Sequence, residues 1–336
     1  MRFAIIGAGA TGGFLGAHLA RAGADVILVA RGANLAAMRE HGITVRTGGG
    51  QFTARVEATA DVAQAVASAD CVFITLKAHQ IGAVAEAVGA NLPARACVVT
   101  GQNGIPWWYF PDRSLQTVDP GGRIAAAIPY DRVVGCVVYP ATSLAAPAVV
   151  EHVEGTRFSL GEPSGAETSE RCEGISAALK EAGLKAAVNP RIRNEIWLKL
   201  LGNATLNPVA ALTRATLVRM IESEATKALM RSLMEEVEAV ARASGAEVEV
   251  SIERRLSGAA RVGEHKPSTL QDLEAGKPLE LDALTGAVVE LADLFAVPVP
   301  HLRTVYALAK LLDETNREPA ASRPDAQEMA AKASPA

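Results

Sequence analysis

Several features are missing from this chain, and each absence narrows what it can do. No sign of charge dominates: 33 basic residues against 37 acidic ones leave a net charge of -4, so no basic field calls for nucleic acid. No apolar run reaches the roughly 18 residues of a membrane span. A lone arginine precedes a strand that runs straight into glycines, without a small-residue cleavage pattern, so no signal peptide is expected. Cysteine is sparse. Cys71, Cys97, Cys136 and Cys172 are spaced too widely for a zinc site or a disulfide framework. The six histidines, His18, His41, His79, His152, His265 and His301, show no ligand spacing, so no metal is expected. The default is a cytoplasmic protein without nucleic-acid or membrane partners, and its 336 residues suffice for two domains or one large one.

The organising element is the first thirty residues. Phe3 to Ile6 is the short apolar run of a strand buried on both faces. Gly7, Gly9 and Gly12 then give the G-x-G-x-x-G spacing before a helical pattern that ends near Gly23. Gly7 suits the tight turn, Gly9 the approach of a pyrophosphate, and Gly12 close packing of helix on strand. Ala10 and Thr11 open the helix, whose free N–H groups favour phosphate, and with the three glycines they are the cofactor-binding candidates. After Val26 to Ala30 the chain reaches Arg31, about where an NAD-selective site carries an acid for the ribose hydroxyls. An arginine pairs instead with a 2'-phosphate, which favours NADP(H), unless Arg31 is a plain loop residue.

Asn34 to His41 reads as a helix closed by Gly42. Ile43 to Arg46 and Phe52 to Val56, separated by glycines, read as a hairpin added to the main sheet. A short helix is expected over 61–69. Cys71 to Leu76 is another buried strand, and Lys77 follows at its carboxyl end, where ligands bind in open α/β sheets; a solvated strand end is the alternative. The strand Cys97 to Thr100 leads to Gly101, Gln102, Asn103 and Gly104, a polar turn able to approach a ligand. Trp107, Trp108 and Tyr109 concentrate two of three tryptophans in one place, either as core or as a recognition surface. Val133 to Tyr139 and Val149 to Leu160 are expected to complete the sheet, and Glu170 to Gly183 to be helical.

After Pro190 the pattern changes to a period near 3.6, with helices over 191–212, 216–243, 252–262, 281–295 and 301–314. The expected fold is therefore α/β, an N-terminal Rossmann-like dinucleotide-binding domain (1–187) joined to a C-terminal all-helical domain (188–315), with 316–336 a disordered tail. In the helical part Lys199, Asn203 and Asn207 recur every four residues along one stripe, and Pro208 bends or restarts the helix after Asn207. A lysine among apolar neighbours can titrate near neutrality and donate a proton; surface spacing alone produces such a stripe too.

The glycine loop with Arg31, LKAHQ at 76–80, QNG at 102–104, IWLKLLGNATLNP at 196–208 and PSTLQDLEAGKPLELDALTG at 267–286 together resemble the ketopantoate reductase family. The likeness spans roughly residues 1–312. It implies NADPH-dependent reduction of 2-dehydropantoate to (R)-pantoate in pantothenate biosynthesis, in a cleft between the two domains. By matching position, Lys199 is the general acid, Glu280 holds the substrate hydroxyl, and Asn203 joins them as a catalytic residue. Asn207, Ser268 and Asn103 bind substrate, Ser268 at the carboxylate. Arg31, Lys77 and Asn103 serve the cofactor side. The resemblance permits a monomer or a homodimer, and the helix over 219–243 could be core or subunit contact.

Two segments depart from the family pattern: IPWWYF at 105–110 and GCVVYPAT at 135–142. If Trp107 and Trp108 wall the pocket, a bulkier or more apolar 2-keto acid is the alternative substrate. A non-catalytic NADP-binding protein is the alternative of a different class.

Overall fold

A computed structural model describes residues 1–167 and 169–317. The short apolar runs become strands: β1 (Arg2–Ile6) leads through α1 (Ala10–Arg21) to β2 (Asp25–Val29), then α2 (Gly32–His41). A hairpin of β3 (Ile43–Thr47) and β4 (Gly50–Ala54) follows, then β5 (Glu57–Thr59), α3 (Val62–Ala67), β6 (Cys71–Ile74), α4 (Ala78–Asn91) and β7 (Cys97–Thr100). The α/β half closes with α5 (Arg123–Ala127), β8 (Val133–Val138), β9 (Ala141–Ala146), β10 (Val149–Glu154), β11 (Arg157–Gly161), α6 (Glu170–Glu181) and β12 (Lys185–Val188).

Eight of these strands form the main sheet in the order β12-β11-β8-β7-β6-β1-β2-β5. All its pairings are parallel except β8 with β11. The strand order reverses at β1, which lies between β2 and β6, so a crevice opens at the carboxyl ends of these strands.

The hairpin 43–56 does not join this sheet. It pairs with β9 and β10 in a separate four-stranded sheet, ordered β4-β3-β10-β9. The reason is packing against α1. A Cβ on Gly13 would lie 2.6 Å from Ile43 Cδ1, and one on Gly16 would lie 2.5 Å from Leu28 Cδ2. The two glycines, one turn apart, thus let α1 settle closely on both sheets, while β5 takes the edge beside β2. Of the stretch 149–160 only β11 returns to the main sheet, and β12 is an edge strand that periodicity did not reveal.

Beyond β12 every element among the described residues is helical: α7 (Ile192–Asn203), α8 (Leu206–Thr213), α9 (Leu217–Glu222), α10 (Glu224–Ala243), α11 (Ile252–Arg261), α12 (Ser268–Glu274), α13 (Ala287–Leu294) and α14 (Pro300–Arg317), with a π-type turn at Asp282–Gly286. The expected helix over 191–212 is broken at 204–205, earlier than Asn207. Pro208 cannot donate to the carbonyl four residues back, that of Ala204, and its ring crowds that carbonyl. The Thr285 hydroxyl donates to the Ala204 oxygen instead, at 3.0 Å. A second break at Ser223 separates α9 from α10, with the Ser223 hydroxyl accepting from the Thr226 amide. Of the tail expected at 316–336, Asn316 and Arg317 still belong to α14; the rest lies outside the described residues.

The core on one face of the main sheet, including Ile6, Ile74 and Val98, continues through Trp107, Trp108 and Trp197 into the helices as far as Leu302. Each such aliphatic or aromatic side chain contributes about 1.5–3 kcal/mol on burial. In α10, Met230, Leu233, Met234 and Val237 are fully buried, which places that stripe in the core of this chain.

Candidate active site

The glycine loop has the shape of an anion cradle. Gly7 adopts φ +98°, and the Thr75 hydroxyl donates to its carbonyl at 2.8 Å, pinning the turn to the end of β6. A Cβ on Gly12 would fall well inside 3.0 Å of both the Gly7 carbonyl and Thr75 Oγ1, so only glycine fits. Gly9 differs: around its missing Cβ only the Gly7 oxygen lies as near as 4.0 Å, leaving open space on the crevice side. No side chain caps α1 and no acid lies in its first turn, so the amides of Ala10, Thr11 and Gly12 remain available to a phosphate. Asn34 donates to the Ala8 carbonyl at 2.6 Å and accepts from the Ala148 amide at 2.7 Å, tying the loop to the second sheet. Arg31, at the start of α2, is exposed beside this loop. These residues fit a dinucleotide.

The next helix along the crevice, α4, has its N-terminus occupied from the helical half. Glu280 Oε1 accepts from the Ala78 amide at 3.1 Å, where the helix dipole favours an anion. Lys77, the residue before α4, pairs with Asp272 of α12 at 2.6 Å, so its ammonium is committed to a bridge between the two halves. The amide of Ile105 donates to the Ala283 carbonyl at 3.0 Å, and Gly104 packs so closely on Ala283 that a Cβ there would clash. The QNG turn, and Asn103 with it, is thereby seated against the segment that carries Glu280.

Lys199 lies on α7, half-buried, and donates to the Val138 carbonyl at the end of β8. Its nitrogen sits 5.6 Å from the centre of the Tyr139 ring. Burial pulls the Lys199 ammonium down to about 8; Cys136, Glu280 and Glu195 oppose that shift, and Arg255 adds to it. Burial pushes the Glu280 carboxyl up, against the pull of the Ala78 amide and of Lys77. Lys199 and Glu280 therefore feel each other electrostatically without forming an ion pair.

Asn203 lies one turn beyond Lys199 on α7, whereas Asn207 is buried on α8 beyond the break, so the two do not share a single helical stripe with the lysine. Ser268 is exposed at the first position of α12. The side chains of Asn103, Asn203, Asn207 and Ser268 make no hydrogen bond among the described residues.

Trp107 and Trp108 do not wall the crevice. Each is 2% exposed, and Trp108 Nε1 donates to Thr100 Oγ1 at 2.7 Å beneath the sheet. Trp197 donates to the Tyr109 hydroxyl at 2.7 Å. This cluster is the joint between sheet and helices, and the case for a bulkier substrate loses its structural basis. A cavity of about 300 Å3 lies behind Glu280, lined by Ala78, His79, Asp119, Arg123 and Ala283 among others. It reaches neither Lys199 nor the glycine loop, so it is not where these groups converge. Sequence reading missed the Val138 carbonyl, the Ala78 amide, Asp272 and Arg255. Only Arg255 left a trace, in the helical glycine it packs against.

Comparison with known proteins agrees with this geometry in both halves of the chain. The family described as ketopantoate reductase PanE/ApbA matches residues 3–165, and the family of its C-terminal part matches residues 191–313. A 2-dehydropantoate 2-reductase of Mesorhizobium japonicum is 45% identical, over 93% of this chain and 98% of its own. The crystal structure of a PanE/ApbA family ketopantoate reductase from Ralstonia eutropha superposes with a TM-score of 0.83 at 30% identity, covering 95% of this chain and 100% of the other. That of 2-dehydropantoate 2-reductase from Methylococcus capsulatus gives 0.81 at 28%, covering 95% and 99%. With a bare glycine cradle on one side of the crevice, a lysine and a glutamate on the other, and these likenesses running nearly end to end, the chain belongs to the ketopantoate reductase family.

Proposed function

We propose that this chain reduces 2-dehydropantoate to (R)-pantoate with NADPH, a step of pantothenate biosynthesis. The observation that carries the reading is Lys199: an ammonium with a lowered pKa whose hydrogen-bond partner is a backbone carbonyl, within electrostatic reach of a carboxylate seated on the Ala78 amide. NADPH supplies the hydride when bound. The chain's own residues do the rest. Gly7, Gly9 and Gly12, with the amides of Ala10 and Thr11, hold the pyrophosphate, and Arg31 pairs with the 2'-phosphate. Lys199 gives its proton to the ketone oxygen and stabilises the charge that develops there. Glu280 accepts a hydrogen bond from the substrate hydroxyl. Asn203, Asn207, Asn103 and Ser268 supply neutral donors and acceptors around the acid. Lys77 contributes to the cofactor side by holding the wall of the crevice through Asp272. The same proposal divides the chain at 187/188, cofactor binding before and proton transfer after.

The test is NADPH oxidation followed with ketopantoate, beside bulkier 2-keto acids, in the wild type and in Lys199→Ala. Efficient turnover of ketopantoate that the variant loses supports the reading. Preference for a bulkier keto acid would move the substrate while keeping the chemistry, and cofactor binding without any turnover would sink both.

A further inference from the structure

Arg255 has no task in the reaction proposed above. From α11 it reaches across to α7, where its guanidinium lies over Gly202, and a Cβ on that glycine would fall inside 3.0 Å of the arginine. Gly202 is three residues after Lys199, so the guanidinium rests on the lysine's own side of the helix, one turn away. Among the described residues the Arg255 side chain makes no hydrogen bond or ion pair, and its Nε is buried without a partner. Glu195, the buried acid that acts on both Lys199 and Tyr139, does not answer it. Glu195 already accepts from Tyr139 at 2.9 Å, Ser159 at 2.7 Å and Asn189 at 2.7 Å, and pairs with Arg157 at 3.1 Å. Two cations, Lys199 and Arg255, therefore lie near each other one helical turn apart, and the guanidinium disfavours the charge of the lysine.

A half-buried guanidinium whose Nε is sealed from water without a partner is costly unless an acceptor arrives. A 2-oxo acid brings one, on the carbon next to the carbonyl that Lys199 protonates. We propose that Arg255 is the carboxylate-binding residue of this site, its guanidinium taking the substrate carboxylate in a fork and so presenting the adjacent carbonyl to Lys199. The assignment rests on the 2-oxo acid reading of the site. Ser268, exposed on α12, then adds a neutral donor while the charge comes from Arg255. Gly202 is bare because the guanidinium occupies the space of a side chain. A further consequence is that carboxylate binding neutralises the field of Arg255 at Lys199. The lysine then holds its proton to higher pH in the complex than in the free enzyme, where Cys136, Glu280, Glu195, Tyr139 and Arg255 are its charged or titratable neighbours.

The experiment compares ketopantoate with its carboxamide in the wild type, Arg255→Met, Arg255→Lys and Gly202→Ala, with NADPH affinity measured separately by fluorescence titration. Arg255→Met should raise KM for ketopantoate about 10- to 100-fold, affect the carboxamide far less below pH 8, leave NADPH affinity unchanged, and move the alkaline limb of kcat/KM to higher pH. Arg255→Lys should recover part of the loss. Gly202→Ala, which favours the helix but displaces the guanidinium, should lose discrimination in the same direction. Wild-type KM for ketopantoate in Arg255→Met and Gly202→Ala overturns the assignment, as does equal loss with the carboxamide. Weakened NADPH binding would make Arg255 a cofactor contact instead. A wild-type enzyme that turns over no 2-oxo acid overturns the proposed reaction and this assignment with it, whereas an active wild type with an indifferent Arg255→Met overturns the assignment alone.

Discussion

Two helix N-termini open on the same crevice and are used in opposite ways. That of α1 is left bare, with no capping side chain and an open space above Gly9. That of α4 is filled by Glu280, carried in from a segment 202 residues away in sequence, with the Lys77–Asp272 bridge beside it. Both exploit the same partial positive charge. The first leaves it free, on the proposed reading for a phosphate that arrives from outside, whereas the second uses it inside the chain, fixing where the carboxylate of Glu280 sits. On the proposed reading, the difference shows why cofactor binding can be encoded in six consecutive residues while the reacting groups cannot. The α1 site is made of backbone, the other of side chains assembled across the fold.

The largest effect should fall on the assembled side. Lys199→Ala should lower kcat about 10³-fold, in the range expected for loss of a positioned general acid, while NADPH still binds normally. Stopped-flow hydride transfer beside a binding titration separates the two, and a variant that loses NADPH affinity instead would erase the division of labour. The wild-type pH profile follows from the same group. A general acid must carry its proton, and with Lys199 at about 8, kcat/KM should be flat below that pH and fall about tenfold per unit above it. A profile that rises through pH 8 would make Lys199 a base.

On the backbone side, Gly9→Ala and Gly12→Ala should part company. A methyl at Gly9 meets open space in the protein, so the melting temperature should hold while KM for NADPH rises about tenfold or more, because the pyrophosphate needs that space. At Gly12 the methyl strikes backbone, and the fold should lose about 1–3 kcal/mol as well. If Gly9→Ala lowers the melting temperature as much as Gly12→Ala does, the open space is structural rather than reserved. Arg31→Ala should weaken NADPH about tenfold and leave NADH nearly unchanged, read as the ratio of kcat/KM for the two cofactors.

How much of this was legible follows the same line. Gly7, Gly9 and Gly12 were readable because turn, strand and helix are contiguous there, and the helical second half was readable from its period. The hairpin over 43–56 went to the wrong sheet because strand partners are chosen by packing against α1, which periodicity along the chain does not carry. Asn207 was placed on the lysine's stripe although the rule that a proline disables the carbonyl four residues back put the break at Ala204. Lys199 and Glu280 could be paired only through family resemblance, since nothing local links positions 199 and 280. Arg255 left a faint trace. Glycine in a helix interior costs about 1 kcal/mol relative to alanine, so Gly202, one turn after a candidate catalytic lysine, marked a close approach by something else.

The smallest effect sharpens the comparison most, because it asks whether α4 depends on its guest. Glu280→Ala removes the acceptor at the Ala78 amide and should cost about 1 kcal/mol of stability, the scale of a lost N-terminal cap, whereas Glu280→Gln keeps an oxygen there and should cost less. Both should raise KM for ketopantoate, because the substrate hydroxyl loses a carboxylate acceptor in either case. Denaturant melts set against KM values then separate the two duties of one side chain. If Glu280→Gln restores stability and affinity together, Glu280 serves the helix alone; if it restores only stability, the carboxylate is held on α4 so that its charge can meet the substrate.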